Sequence, residues 1–295
     1  MPELPEVETI ARGLASGADN LIGRRVARAH VAWKRTVAKP SAAAFVRRIA
    51  GQRVVAIGRR AKFVRIQLEK DTLLIHLRMS GDLLTGYSQE PLGSHSRLQI
   101  WFKPLTPYPL SRKAGEGKTK AEEIRNHAAL QLSFQDPRKF GRVWLVADAE
   151  SVLGALGPEP LEPALTPSRF HKMLAARKRQ LKPLLLDQTF LAGLGNIYVD
   201  EALWEARLYP LTAASKLSKQ EAGALLRGIR KVLKEGLRRK GASIDWVYRG
   251  GDYQHHFKVY QRTGEACPRC GTKIKRVTVG QRGTHFCPRC QEKTW

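Results

Sequence analysis

The sequence predicts an α+β chain of more than one domain: an antiparallel β-sandwich or barrel with flanking helices, then a helical half, then a small β-hairpin carrying cysteines. Three observations lead there. Seven short, often alternating apolar segments bounded by turn or charged residues fill residues 25–145. After Ala149 the pattern changes, with four prolines between Gly154 and Pro167 followed by apolar residues at helical spacing. All four cysteines fall between Cys267 and Cys290. At 295 residues the chain is long enough for two domains, each burying a core.

Val7 to Leu14 carries apolar residues at helical spacing, and the first clear punctuation is Ser16-Gly17-Ala18-Asp19-Asn20. The terminal residues therefore lead straight into a helix. Strands are expected at 25–31, 53–59, 63–68, 73–77, 98–102, 129–134 and 142–145. The junction is expected near 150–165, which gives a first domain over 1–150, a linker over 151–164, a helical domain over 165–260 and a terminal finger over 261–295. Helices are expected from Pro167-Ser168 to 176, from Lys182-Pro183 to 188, from Asn196 to 206 and from 219 to 240.

The cysteines form two C-x-x-C turns, Cys267-Pro268-Arg269-Cys270 and Cys287-Pro288-Arg289-Cys290, with 16 residues between them. Each turn offers two thiolates to one tetrahedral ion, and the spacing fits a zinc-ribbon-like hairpin. Disulfides fit poorly in a chain with no secretion signal, and a redox C-x-x-C would not explain two copies. Residues 273–279 read as strand, 280–283 as a turn presenting Arg282, and 284–286 as the return strand. One structural zinc is expected, because four cysteines leave no open coordination position.

Lys and Arg number 52 against 26 Asp and Glu, a net charge of +26 with a pI near 10.4. Polyanion binding is the leading explanation, and it would weaken steeply with salt. A basic membrane-surface protein is the rival. No stretch approaches about 18 apolar residues, and nothing resembles a signal peptide or lipidation site, so nucleic acid is favoured and a cytoplasmic, nucleoid-associated location expected. At the start, Met1-Pro2-Glu3 suggests loss of the initiator methionine. A free Pro2 amine would be a nucleophile near neutral pH, with Glu3 beside it for proton transfer. Further on, Gly193-Leu194-Gly195-Asn196 at a helix entrance reads either as a phosphate approach or as a tight helix-helix turn capped by Asn196.

These motifs jointly resemble the formamidopyrimidine-DNA glycosylase family. The resemblance runs through Pro2-Glu3-Leu4-Pro5-Glu6-Val7-Glu8-Thr9, Arg59-Arg60-Ala61-Lys62-Phe63, His76-Leu77-Arg78-Met79-Ser80-Gly81 and Asp136-Pro137-Arg138-Lys139-Phe140-Gly141. It continues through Leu156-Gly157-Pro158-Glu159-Pro160, Gly195-Asn196-Ile197-Tyr198 and the cysteine hairpin. It implies an N-terminal β-sandwich with flanking helices, a C-terminal helix-two-turn-helix bundle with a zinc finger, and damaged double-stranded DNA in the cleft between them. It further implies a monomeric base-excision repair enzyme, a glycosylase and lyase for oxidised purines.

By the same resemblance Pro2 is the nucleophile on C1′, Glu3 assists through the sugar ring oxygen or base departure, and Lys62 holds a phosphate or the lesion edge. Met79, Arg138 and Phe140 fill the gap left by the flipped nucleotide. His76, Asn196, Tyr260, Arg276 and Arg282 contact phosphates near the lesion. Cys267, Cys270, Cys287 and Cys290 hold zinc. Two departures stand out: a Pro-, Gly-, Lys- and Arg-rich insertion over 104–128, expected to be a mobile solvated loop with a DNA-backbone contact as the alternative, and a shortened segment, 246–256, where the family closes a loop over the flipped base. The shortened loop keeps open an endonuclease VIII-like preference for oxidised pyrimidines. A non-catalytic damage-binding relative is the third reading, opposed by intact Pro2, Glu3 and Lys62.

Overall fold

The computed structural model describes residues 1–87, 93–104, 129–243 and 250–292. The expected loop at 104–128, beyond Pro104 itself, and residues 246–249 of the shortened segment lie outside that set. The chain divides into two compact units: Met1–Pro2 with Val7–Gly154, and Glu3–Glu6 with Ala155–Trp295.

In the first unit two sheets share one core. Strands β1 (Val26–Val31), β7 (Ser96–Phe102), β8 (Leu130–Gln135) and β6 (Asp82–Tyr87) form one sheet in that spatial order. The other runs β2 (Val37–Lys39), β9 (Arg142–Val146), β5 (Thr72–His76), β4 (Phe63–Leu68) and β3 (Val54–Arg60). Val64, Ile66, Leu73, Ile75 and Val143 of the second sheet cluster with Leu98, Ile100, Leu132 and Phe134 of the first. This is a sandwich rather than a barrel. Val7, Ala11 and Leu14 of helix α1 (Leu4–Ser16) join the same core at helical spacing.

The seven expected strands are present with bounds shifted by one or two residues. Two more, β2 and β6, and the helix α2 (Ala42–Ile49) were not expected. β6 carries Thr85, Gly86 and Tyr87 with mixed exposure, and β2 is three residues long, so neither shows a usable alternation. β2 also pairs parallel to β9, an exception to the antiparallel expectation. Helix α2 is capped by Ser41, whose hydroxyl accepts from the Ala44 amide, and it buries Phe45 and Ile49.

After α3 (Glu150–Leu153), the second unit carries helices α4 (Pro167–Ala175), α5 (Leu181–Leu185), α6 (Asn196–Glu205) and α7 (Lys219–Arg238). α4 opens with Pro167 after a Thr166 cap, and α7 with a Ser218–Glu221 capping box. α6 is buried on nearly every side, which explains its weak amphipathic signal. The chain closes in a hairpin of β10 (Lys275–Val279) and β11 (Arg282–Phe286). Its two-residue turn is Gly280-Gln281, both at positive φ, so Arg282 is the first residue of the return strand rather than part of the turn.

Candidate nucleic-acid and catalytic site

In the second unit the N-terminus of α6 is occupied by a side chain of the chain itself. Glu3 is 2% exposed, and its carboxylate accepts from the amides of Gly195 at 2.6 Å, Ile197 at 2.9 Å and Tyr198 at 3.4 Å. These are among the donors a helix leaves unsatisfied at its start, and the positive end of the helix dipole complements the carboxylate. Gly195 is required for this approach: a Cβ there would lie 2.4 Å from Glu3 Cδ. Leu4 N donates to Gly193 O at 3.0 Å, and Gly193 adopts φ +97. The Gly-x-Gly-Asn turn thus serves first to seat Glu3 and Leu4. Of the turn amides that the sequence offers to a phosphate, that of Gly195 is committed to Glu3.

Glu6 supports this seat. It is buried and accepts from Glu3 N at 2.8 Å, Tyr198 Oη at 2.9 Å and Ala242 N at 2.7 Å. Burial pushes its carboxyl above the ordinary range, while these hydrogen bonds pull the other way. Donors reach both oxygens, so the geometry suits an acceptor at each.

In the first unit Arg59 forms an ion pair with Glu8 at 3.0 Å and donates to Ala61 O at 2.9 Å, fixing the turn in which Ala61 takes φ +52. Lys62 follows at the start of β4, 4% exposed. Across the ladder Phe63 pairs with His76, their rings 4.7 Å apart edge to face. His76 Nδ1 accepts from Arg78 N at 3.0 Å. Burial first, then the charges of Arg78 and Lys62, lower its pKa to about 3. The ring is therefore neutral at pH 7, and with Nδ1 accepting, the proton sits on Nε2 as a donor.

Two loops carry Met79, Arg138 and Phe140, and a buried aspartate joins them. Asp136 accepts from Ser80 Oγ, from Gly141 N at 2.6 Å and from Arg138 N at 3.2 Å. Gly141 is needed there, since a Cβ would lie 2.2 Å from the Phe134 ring. The Arg138 guanidinium lies over the Phe140 ring at 4.9 Å, and Phe140 is 48% exposed. So exposed, Phe140 contributes little to the core.

One face of α6 holds the zinc hairpin. Asn196, Asp200 and Trp204 recur at i, i+4 and i+8. Asn196 Nδ2 donates to Gly283 O at 3.1 Å, and its Oδ1 is buried without a hydrogen-bond partner. Asp200 takes Lys182 Nζ at 2.5 Å on one oxygen and His285 on the other. Burial pulls the Lys182 amine below the ordinary lysine range, and Asp200 partly offsets this. Trp204 Nε1 donates to Cys267 Sγ at 3.4 Å, and Arg269 stacks on Trp204 at 4.0 Å. Glu201, next to Asp200, accepts from the amides of Lys258, Val259 and Tyr260. Tyr260 in turn packs edge to face on His285 at 5.1 Å. Arg276 and Arg282 are exposed on the hairpin strands, the Arg276 guanidinium lying beside Gly283.

The four cysteine sulfurs lie within 4.8 Å of one another, with Cys267 and Cys290 at 4.0 Å and Cys270 and Cys287 at 3.4 Å. A tetrahedral zinc about 2.3 Å from each thiolate would separate sulfurs by about 3.8 Å. The cage therefore fits one structural zinc, and the Trp204 indole supplies an outer donor to a ligand sulfur.

Sequence reasoning did not find Glu6, Tyr198, Asp136, Lys182 or Asp200. Glu6, Asp136 and Tyr198 stand inside the family motifs, but nothing local marks them as buried hydrogen-bonding groups. The partners of Lys182 and Asp200 lie too far along the chain for spacing to reveal.

Comparison with known proteins gives concordant matches along the whole chain. The N-terminal domain of formamidopyrimidine-DNA glycosylases matches residues 1–143, their H2TH domain residues 156–247, and the zinc finger found in FPG and IleRS residues 264–293. The formamidopyrimidine-DNA glycosylase of Chloroflexus aurantiacus is 43% identical over 299 residues, covering 99% of this chain and 98% of that protein. That of Roseiflexus sp. is 42% identical over 300 residues, covering 99% of this chain and all of that protein. Among solved structures, Lactococcus lactis FPG (MutM) in complex with a FAPY-dG containing DNA aligns with a TM-score of 0.83 at 31% identity, over 99% of this chain and 100% of that one. The same enzyme with DNA containing an abasic site gives the same TM-score, identity and coverage.

Proposed function

The chain belongs to the formamidopyrimidine-DNA glycosylase family, and on that premise we propose that it excises oxidised purines from duplex DNA and then cleaves the strand, with Pro2 as the covalent nucleophile. The observation that carries this is the fixed carboxylate of Glu3, held by the α6 amides at the residue next to Pro2.

With Met1 removed, the Pro2 nitrogen attacks C1′ of the flipped nucleotide. The base departs with the proton that the Pro2 amine sheds on bonding to C1′, and the sugar C1′–O bond then opens as its oxygen takes a proton delivered through Glu3, giving an iminium between Pro2 and C1′. The iminium draws electrons from the sugar. Loss of a 2′ proton expels the 3′ phosphate, a second elimination expels the 5′ phosphate, and water releases the sugar fragment from Pro2. Zinc takes no part in these steps; it stabilises the finger.

Lys62 supplies a cation near His76, and neutral His76 supplies an Nε2–H donor, both suited to a phosphate. Met79, Arg138 and Phe140 fill the vacated stack, the arginine donating to the orphaned base. Asn196, Tyr260, Arg276 and Arg282 serve the backbone from the second unit, and Asn196 would have to release Gly283 to offer its amide. The excess of positive charge suits duplex DNA as partner and a nucleoid location.

The deciding experiment compares cleavage of duplexes carrying oxidised guanine or an oxidised pyrimidine. Preference for oxidised guanine is expected; preference for the pyrimidine would replace the substrate reading, and binding without cleavage would replace the enzymatic one. Glu3→Gln should slow excision by roughly 10²- to 10⁴-fold while leaving the Pro2 amine in place.

A further inference from the structure

The zinc hairpin is tied to α6 by a buried charge network as well as by its apolar contacts. Lys182 and Asp200 are both 0% exposed. Asp200 Oδ1 accepts from Lys182 Nζ at 2.5 Å, while Oδ2 accepts from His285 N at 2.9 Å and lies 3.2 Å from His285 Nδ1. Lys182 Nζ also donates to Gly283 O at 3.0 Å, the carbonyl that Asn196 Nδ2 reaches at 3.1 Å. Residues 283 and 285 of β11 are thus gripped at two backbone points, on either side of Thr284 and directly after Arg282. On its other flank the His285 ring abuts Tyr260.

We propose that Asp200 is a positioning residue for DNA binding: through Lys182 and His285 it holds the start of strand β11 so that Arg282 and Tyr260 meet the phosphate backbone. A charge buried at this depth is costly unless every partner is in place, and a hydrophobic pair would anchor the hairpin with less demand on geometry. What the ionic arrangement adds is direction. Both carboxylate oxygens and all three elements must be in register for the network to close, which fixes the hairpin strand along its axis as well as against the helix. The assignment rests on the DNA-repair reading above, since it presumes that these side chains face phosphates.

The test is Asp200→Asn, with zinc content measured and duplex affinity followed across salt concentration, on undamaged duplex and on duplex with a stable abasic analogue. Each lost contact between a cationic side chain and a phosphate should make the slope of log affinity against log salt shallower by about 1. D200N is expected to retain one zinc, bind about tenfold more weakly at moderate salt, and show a slope reduced by about 1, since Arg282 carries a charge and Tyr260 does not. In an Arg282→Ala background the same substitution should change the slope by less than it does alone, because both act on one contact. A zinc-loaded, folded D200N with the wild-type slope, or full additivity with R282A, would overturn the proposal. If D200N does not fold, His285→Gln decides, since it keeps the Lys182–Asp200 pair: a shallower slope supports the assignment and an unchanged one sinks it. Loss of lesion preference in the wild-type protein would instead count against the functional reading, and the slope on undamaged duplex would still judge Asp200.

Discussion

At the scale of single residues, the protein commits buried acceptors to holding reactive or exposed neighbours in place. Glu6 is the clearest case. Its two oxygens accept from Glu3 N on one side and from Tyr198 and Ala242 on the other. Glu6→Gln keeps the shape but turns one acceptor into a donor facing a donor. The expected cost is about 1–3 kcal/mol in unfolding free energy, accompanied by slower excision because Glu3 loses its anchor; denaturant titration and single-turnover excision check both. His76 gives a pH prediction. Its folded pKa is about 3 against an ordinary 6.5, so between these values the unfolded chain binds more protons than the folded one. Its contribution is complete above pH 6.5 and is lost as the pH falls toward 3. His76→Gln should therefore make the acid limb of the stability profile shallower between pH 6.5 and 3, and an unchanged limb would mean that the ring is not buried neutral.

At the scale of elements, what was legible in the sequence followed the strength of local patterning. β4, β5 and β9 alternate or run apolar and were read within a residue or two. β2 is too short to show a period, and the aromatic Tyr87 and Gly86 of β6 gave no alternation against its flanking turns. The cysteine hairpin was legible because its spacing is chemical, although the turn proved to be two residues long and left Arg282 on the strand. The 136–141 motif points to Arg138 and Phe140, whereas its structural centre is Asp136, which no periodicity marks. Asp136→Ala would leave the Ser80 hydroxyl and the Gly141 and Arg138 amides without their acceptor. A loss of about 2 kcal/mol or more is expected, with weakened retention of lesion duplex, readable by thermal unfolding and by dissociation rate. Zinc removal acts on another element. Trp204 donates to a ligand sulfur and packs with Val259, Ile274 and Cys287. Chelation should therefore change indole fluorescence in step with loss of DNA affinity.

At the scale of the whole molecule, the family was legible because the motifs are strung along the chain in order. The seat of the terminus was not. Glu3 meets Gly195 and Ile197 across more than 190 residues, and a helix entrance rich in glycine reads equally well as a phosphate site. The structure gives that entrance a prior tenant. The catalytic claim then depends on a carboxylate held beside a proline that must carry a free amine. Borohydride trapping on a duplex with one oxidised guanine, followed by mass mapping of the crosslinked peptide, tests this directly. The account predicts a single crosslink on Pro2 in a chain lacking Met1. A crosslink on Lys62 or any other amine, or none while the duplex remains bound and Met1 is absent, would contradict it.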